Sequence, residues 1–248
     1  MKRNELIRQV ALRMDEVTPD SPDFTIADIP VDGSDNNPLY ALIDGLVDSG
    51  ALELFSVAPY WRLPQKEFDP DTDIVIQSVG TPREYMDGSS KTIGARKVIR
   101  LKVPDDFLRV AEIDCEEFQR PITEAVPEIS EMGKRQHNPF LMGKEARPVG
   151  VISHGKWEVE QDEFVQCREI DCYSLPSSST LDETDMNATY IPSPEMPAIT
   201  DTTTDIETVV PPVLVDALEW IIAARTFGAR GDANHAAICQ QNAQNLLV

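Results

Sequence analysis

The sequence predicts an α+β fold, in which helices from both ends of the chain form one bundle and an antiparallel β-rich domain is inserted between them. Apolar residues recur every three or four positions at both ends, whereas short alternating stretches dominate the middle. A long acidic stretch separates the β-rich part from the last helices. The predicted parts are an N-terminal helical part (1–60), a β-rich insertion domain (61–175), an acidic Ser/Thr/Pro-rich arm (176–210) and C-terminal helices (211–248).

The N-terminal part is predicted to contain two amphipathic helices. Leu6, Val10 and Met14 recur at helical spacing and form the apolar face of the first helix. Pro38 suits the first position of the second helix, and Gly50 is its predicted end. Because two short helices cannot bury their apolar faces alone, we expect them to pack against the C-terminal helices.

The middle region is predicted to be antiparallel, since no long helices intervene between its strands. Alternating polar and apolar residues predict strands over 97–103, 149–154, 157–159 and 164–173. Gly155 and Lys156 indicate the turn of a hairpin between the second and third of these strands. Asp105 and Asp106 form a carboxylate pair that we interpret as the cap of a helical turn over 107–110.

The acidic arm carries no Lys or Arg, and eleven acidic residues lie between Glu169 and Glu219. A segment of this composition buries little apolar surface, so we expect it to be mobile or ordered only by neighbouring molecules. The run from 213 to 227 is apolar on most of its circumference, which predicts a buried helix or a subunit contact. Gly231 and Asp232 predict the end of this helix and the N-cap of a final one.

The residues suggest no catalytic, cofactor or metal site. His137, His154 and His235 have no Cys or carboxylate at a recognised metal-ligand spacing. The sequence contains neither a Gly-rich phosphate loop nor a nucleophile-elbow motif. We therefore predict a protein that is not an enzyme. The scattered cysteines indicate free thiols, with a Cys167–Cys172 disulfide as the less favoured alternative.

The net charge of −21 disfavours a general DNA-binding protein, because such a chain repels phosphates at long range. No apolar run is long enough for a membrane span, and the charged N-terminus does not resemble a signal peptide. One basic cluster, between Lys91 and Lys102, is expected to contact an acidic patch such as the arm on a neighbouring copy. The candidate inter-subunit contact residues are Lys97, Arg100, Lys102, Trp220 and Ile221.

Three stretches resemble a known family. Residues 101–110 (LKVPDDFLRV), 136–140 (QHNPF) and 143–149 (GKEARPV) are similar to motifs of virion proteins from crAss-like and related short-tailed bacteriophages. The helix over 217–225, followed by a turn and an Ala-rich helix, is similar to the C-terminus of head-to-tail connector and tail-tube ring proteins. The family that the chain resembles is therefore the head-to-tail connector or neck ring (tail-tube adaptor) proteins.

The resemblance implies a structural ring protein, commonly of twelve copies, that is assembled in the host bacterial cytoplasm and resides in the virion. Its expected partners are other copies of itself, the portal protein and adjacent neck and tail ring proteins. DNA would pass through the channel without specific binding. Two alternatives remain: a β-rich adhesion or carbohydrate-binding virion module, which predicts exposed aromatic platforms, and a hydrolase of unrecognised family.

Overall fold

The structure is a computed structural model that describes residues 1–17, 38–84, 90–138, 141–160, 163–201 and 203–248. These ranges contain five α-helices and two β-sheets, which confirms the predicted α+β class. The helices are α1 (Arg3–Val17), α2 (Pro38–Val57), α3 (Glu131–Gln136), α4 (Val215–Ala229) and α5 (Ala233–Leu247). The strands are β1 (Lys66–Glu67), β2 (Ile74–Glu84), β3 (Ser90–Lys102), β4 (Phe107–Asp114), β5 (Ala125–Pro127), β6 (Gly150–Glu160), β7 (Glu163–Pro176) and β8 (Asn187–Pro192).

The chain divides into two compact units. A helical unit comprises Met1–Pro64 together with Ser193–Val248, and a β unit comprises Gln65–Pro192. Among the described residues, no helix combines the length and the hydropathy that a membrane span requires.

The helical unit brings α1 and α2 against α4, and α4 packs along α5. Leu6, Val10 and Met14 of α1 are fully buried, as their spacing predicted, and so are Ile43 and Val47 of α2. Burying a side chain of this size contributes about 1.5–3 kcal/mol. These two apolar faces therefore hold the N-terminal helices in the unit.

Helix α2 does not end at Gly50, where the sequence predicted its C-terminus, but continues to Val57. Gly50 is buried, and a Cβ atom placed there would lie 2.6 Å from Cγ1 of Ile222 on α4. The missing side chain thus serves close packing between two helices. The prediction was wrong because a glycine that permits helix contact looks, in sequence, like one that ends a helix.

The signals at the end of α4 behave as predicted. Gly231 has a φ of +82°, the left-handed conformation that stops a helix. The Asp232 carboxylate accepts a hydrogen bond from the backbone N–H of His235 and caps α5. Local sequence therefore defines the turn between α4 and α5.

The first half of the acidic segment differs from the predicted arm, because it contains strand β8. Tyr190 and Ile191 of β8 are buried, and the strand pairs with β1 on one side and β4 on the other. Apolar residues spaced among the acids provide enough buried surface to order this stretch.

The second half of the acidic segment is ordered by the N-terminus of the chain. Ile206 is fully buried, and its N–H donates to the carbonyl of Met1 at 2.8 Å. Lys2 Nζ lies 3.0 Å from Asp205 Oδ1 and donates to the carbonyl of Thr203 at 2.8 Å. Cations at the start of α1 therefore neutralise acids that the sequence interpretation had assigned to a free arm.

The β unit contains a three-stranded sheet in the order β1-β8-β4 and a five-stranded sheet in the order β2-β3-β7-β6-β5. All strand pairs are antiparallel except β5 with β6. Ile99 and Leu101 of β3 and Ile170 of β7 join Phe107 and Tyr190 from the other sheet in one hydrophobic core. The predicted strands over 97–103 and 164–173 are confirmed as parts of β3 and β7.

Two local predictions in the β unit were wrong. Residues 107–110 begin strand β4 rather than a helical turn, because β4 pairs with the distant β8 and buries Phe107 and Val110. Strand β6 runs without a turn through Gly155 and Lys156, and Gly155 pairs with Cys167 of β7. In both places long-range strand pairing overrides the local turn signal.

Candidate functional site

A polar network lies on the face of the five-stranded sheet opposite the hydrophobic core. Arg100 of β3 is paired in register with Asp171 of β7, and Lys102 is paired with Glu169. Residues that oppose each other on neighbouring strands share a face, and every second residue along a strand returns to it. Arg100, Lys102, Glu169, Asp171 and Tyr173 therefore belong to one face.

Arg100 holds the two carboxylates of this network. Its Nε lies 2.9 Å from Asp171 Oδ1 and 3.3 Å from Glu169 Oε2. The side chains of Glu169 and Asp171 are only 3% and 7% exposed. The hydroxyl of Tyr173 donates to Asp171 Oδ2 at 3.0 Å, which adds a second donor. Arg100, a predicted inter-subunit contact residue, is thus engaged within its own sheet.

Burial governs the protonation of the network. It raises the pKa of Glu169, an effect that the nearby guanidinium of Arg100 opposes. Burial and the neighbouring Asp171 raise the pKa of Tyr173, and the hydrogen bond to Asp171 raises the pKa of Arg100. The arrangement keeps Arg100 charged beside two buried acids, which suits a structural ion cluster inside a sheet.

Gly155 makes room for the Glu169 carboxylate. A Cβ atom at Gly155 would lie 2.1 Å from Glu169 Oε2, so the carboxylate sits directly over this glycine. The thiol of Cys167, the strand partner of Gly155, lies 4.0 Å from Glu169 Oε1. The glycine that the sequence interpretation assigned to a turn instead accommodates a buried acid.

Beside this network lies a basin of about 940 Å³, which we call the corner basin. It forms where β3 ends at Lys102 while β6 and β7 continue past that point. The chain leaves the sheet here, and the N–H of Val103 donates to the carbonyl of Arg168 at 3.0 Å. Lining residues include Lys102, Asp105, His154, Gln166, Cys167 and Arg168.

The other predicted contact residues occupy different surroundings. Lys97 and Lys102 are half-buried on β3. Trp220 is half-buried on α4, with the guanidinium carbon of Arg13 5.3 Å from its ring centroid. Ile221 is 1% exposed, so its own chain already covers it. The structure brings the basic candidates together on one strand and places the two α4 candidates in the separate helical unit.

Within the Asp105–Asp106 pair, Asp106 has a structural role. Asp106 accepts hydrogen bonds from Lys66 Nζ at 2.6 Å and from the hydroxyl of Tyr190 at 3.0 Å. The hydrogen bond from Lys66 lowers the pKa of Asp106. Burial raises the pKa of Tyr190 to about 12, and the hydrogen bond to Asp106 is the second cause of this rise. Asp106 therefore ties β1, β4 and β8 together at the end of the three-stranded sheet.

A second surface lies in the helical unit, where the end of α2 meets α5. A groove of about 290 Å³ is bordered by Val57, Pro59, Ala243 and Leu247. Val57 is 57% exposed, and Val248, which also lines the groove, is 98% exposed. We call this surface the apolar groove. Periodicity identified the buried faces of these helices but did not indicate that an exposed apolar surface would remain at their ends.

Within the described ranges, no three His, Cys, Asp or Glu side chains are grouped so that they could hold a metal ion. None of the four cysteines, which all lie in the described ranges, forms a disulfide, so Cys167 and Cys172 are not bonded to each other. Cys172 is fully buried, and burial raises the pKa of its thiol. Cys167 is the half-buried cysteine and borders the corner basin.

Sequence reasoning did not single out Glu169 and Asp171. A signal was present, because Cys167, Glu169, Asp171 and Tyr173 alternate with residues of the opposite face along a predicted strand.

The sequence matches no protein-family model, and the search of curated proteins found no similar sequence.

Proposed function

We propose that this chain is a structural subunit that assembles with copies of itself into a ring in the neck of a short-tailed bacteriophage, between the portal and the tail. The observation that carries the proposal is the apolar groove, whose lining residues Val57 and Val248 remain more than half exposed. Contiguous exposed apolar side chains favour contact with another protein. The motif resemblance of residues 101–110, 136–140 and 143–149 supports a virion ring as the setting.

The architecture suits this role. We propose that α1, α2, α4 and α5 form a helical bundle that the β unit interrupts as an insertion, as in the fold that the sequence predicted. Close approach of α2 and α4 at Gly50 makes such a bundle rigid. Rings form when one surface of a subunit binds a different surface of the next copy until the circle closes.

The charge of the chain suits a channel for DNA. With a net charge of −21, a ring of many copies carries a large negative field. Phosphates are repelled by such a wall, so DNA slides past without specific binding. The portal protein and adjacent neck and tail proteins are the partners in this proposal, and assembly takes place in the host cytoplasm.

The proposal is tested by native mass spectrometry and negative-stain electron microscopy of the purified full chain. We expect closed rings with cyclic symmetry and masses that are multiples of the 27.6 kDa subunit. Val57→Ser with Val248→Ser should reduce the ring fraction. Val213→Ser is the matched control, since Val213 is 72% exposed in the same unit and does not border the apolar groove. A chain that stays monomeric and binds glycans would instead favour the carbohydrate-binding module.

A further inference from the structure

Two β-ribbons project from opposite ends of the five-stranded sheet. Strands β3 and β7 pair only where residues 96–102 of β3 face residues 169–176 of β7. In the described chain, residues 90–95 of β3 pair with β2 alone, and residues 163–167 of β7 pair with β6 alone. Because β3 and β7 run antiparallel, these two overhangs lie at opposite ends of the sheet.

The two ribbons carry opposite charge. The β2–β3 ribbon, residues 79–84 and 90–97, contains two arginines and two lysines against one glutamate. We call it the basic ribbon. The β6–β7 ribbon, residues 156–160 and 163–167, contains three glutamates against one lysine and is the acidic ribbon. A chain with a strongly negative total therefore keeps a basic segment at one end of this sheet.

The overhangs are also similar in length. The pairing of β3 with β7 ends where Lys102 lies opposite Glu169. Before Glu169, the edge of β7 on the β3 side has no strand partner among the described residues, and the corner basin of about 940 Å³ lies beside it. An unpaired strand edge accepts another strand through main-chain hydrogen bonds. The overhang of β3 is six residues long, and the stretch of β7 that pairs with β6 alone is five residues long, so the two segments are similar in length.

We propose that copies of the chain associate head to tail by strand addition at this edge. Residues 90–95 of β3 in one copy enter the corner basin of the next copy and pair, antiparallel, with residues 163–167 of β7. The basic ribbon then lies against the acidic ribbon. The inference rests on the proposed function only for the closure of the ring. The contact itself joins two different surfaces and so repeats from copy to copy.

Charge reversal with complementation tests the contact in the full chain. One variant carries Arg83→Glu, Lys91→Glu and Lys97→Glu on the basic ribbon, and a second carries Glu158→Lys, Glu160→Lys and Glu163→Lys on the acidic ribbon. Each variant alone should associate at least about tenfold more weakly than the wild type in sedimentation experiments, because attraction becomes repulsion. An equimolar mixture of the two should associate again, since each supplies the charge that the other lacks.

The matched control changes three exposed glutamates of the β unit that lie outside the ribbons. Glu67→Lys, Glu116→Lys and Glu124→Lys alter the net charge as much as the acidic-ribbon variant does. This control should associate as the wild type does. In addition, association of the wild type should weaken with added salt.

A cysteine cross-link tests the strand pairing. Ser90→Cys places a thiol at the start of the β3 overhang, which lies opposite the native Cys167 when residues 90–94 pair with residues 167–163 of the next copy. Within one chain these positions are more than about 30 Å apart along the strands, whereas a disulfide needs Cα atoms within about 7 Å. Any disulfide between them therefore joins two copies. We expect cross-linked ladders that disappear when Cys167→Ser is added.

The outcomes separate this inference from the ring proposal. Rings that form equally well in both charge variants, with no cross-link, overturn the strand addition and leave the ring standing. Open chains that depend on the ribbons but never close support the strand addition and overturn the ring. A wild-type chain that does not self-associate at any concentration overturns both.

Discussion

Arg100 connects two acidic side chains that are almost fully buried. Glu169 and Asp171 are two residues apart on β7 and therefore lie on the same side of the sheet. Their side chains are 3% and 7% exposed, so ionising both is costly unless a cation lies between them. A guanidinium suits this position because its planar donors reach two acceptors at once.

Replacing Arg100 should destabilise the β unit strongly. In Arg100→Leu the two carboxylates lose their cation, and we expect the free energy of unfolding to fall by about 3 kcal/mol. Urea unfolding measures this loss. The control is Lys97→Leu, a half-buried cation on the same strand, which should change the free energy of unfolding by less than about 1 kcal/mol. Equal losses in the two variants would show that Arg100 is not the centre of the network.

The raised pKa of Glu169 gives the stability a defined pH dependence. The folded chain holds this proton more tightly than the unfolded chain, in which the pKa of Glu is about 4.3. The contribution is fully present below that pH and is lost as pH rises through the raised pKa. Glu169→Gln removes it. Between pH 4 and pH 7, the wild type should lose stability relative to this variant in urea unfolding, and a constant difference would contradict the assignment.

Helix α2 provides a matched pair of glycines for testing helix packing. Gly50→Ala should destabilise the helical unit by about 1–3 kcal/mol, because its Cβ would lie 2.6 Å from Ile222 Cγ1. Gly45→Ala, where a Cβ meets nothing within 4 Å, should stabilise the same helix by about 0.5–1 kcal/mol. Thermal unfolding compares the two. Stabilisation by both substitutions would show that α2 and α4 are not closely packed at Gly50.

The elements that could be predicted from the sequence are those with local causes. The apolar face of α1 follows from spacing alone, and the Gly231–Asp232 boundary follows from backbone conformation and capping. Strand β4 could not be predicted, because residues 107–110 follow a Pro-Asp-Asp signal that favours a helix start. Their conformation is decided instead by pairing with β8, about 80 residues later in the chain.

The candidate site was predicted in part for a similar reason. The concentration of basic residues between Lys91 and Lys102 identified Lys97, Arg100 and Lys102 as one set of basic residues. Whether each is free or paired depends on which strand lies beside β3, and the sequence does not state that β7 is its neighbour. Arg100 therefore proved to be paired with Asp171, a residue that sequence reasoning had treated only as part of the total charge.

At the scale of the whole molecule, local pairing moderates the high negative charge. In the helical unit, Arg3 bonds Asp44 and Asp48, and Arg13 bonds Asp216 and Glu219. Each cation serves two acids, as Arg100 does in the β unit. With about two acids for every base in the sequence, this sharing leaves an excess of negative charge while anchoring the segments that carry it.

The course of the chain predicts that the β unit can be removed. The chain enters it at Gln65 and leaves it at Pro192. Strands β1 and β8, at these two ends, are antiparallel neighbours with Lys66 opposite Tyr190, so the ends lie about 5 Å apart. A short Gly-Ser linker from Pro64 to Ser193 should therefore leave the helical unit folded.

Far-ultraviolet circular dichroism of this deletion variant should show a helical spectrum and one cooperative thermal transition. Residues 65–192 expressed alone should also unfold cooperatively, because their sheets share a complete hydrophobic core. The control inserts the same linker between Pro64 and Gln65 of the full chain and tests whether the linker itself is harmful. If the control folds and the deletion variant does not, the helical unit depends on the β unit for its stability, which contradicts the prediction.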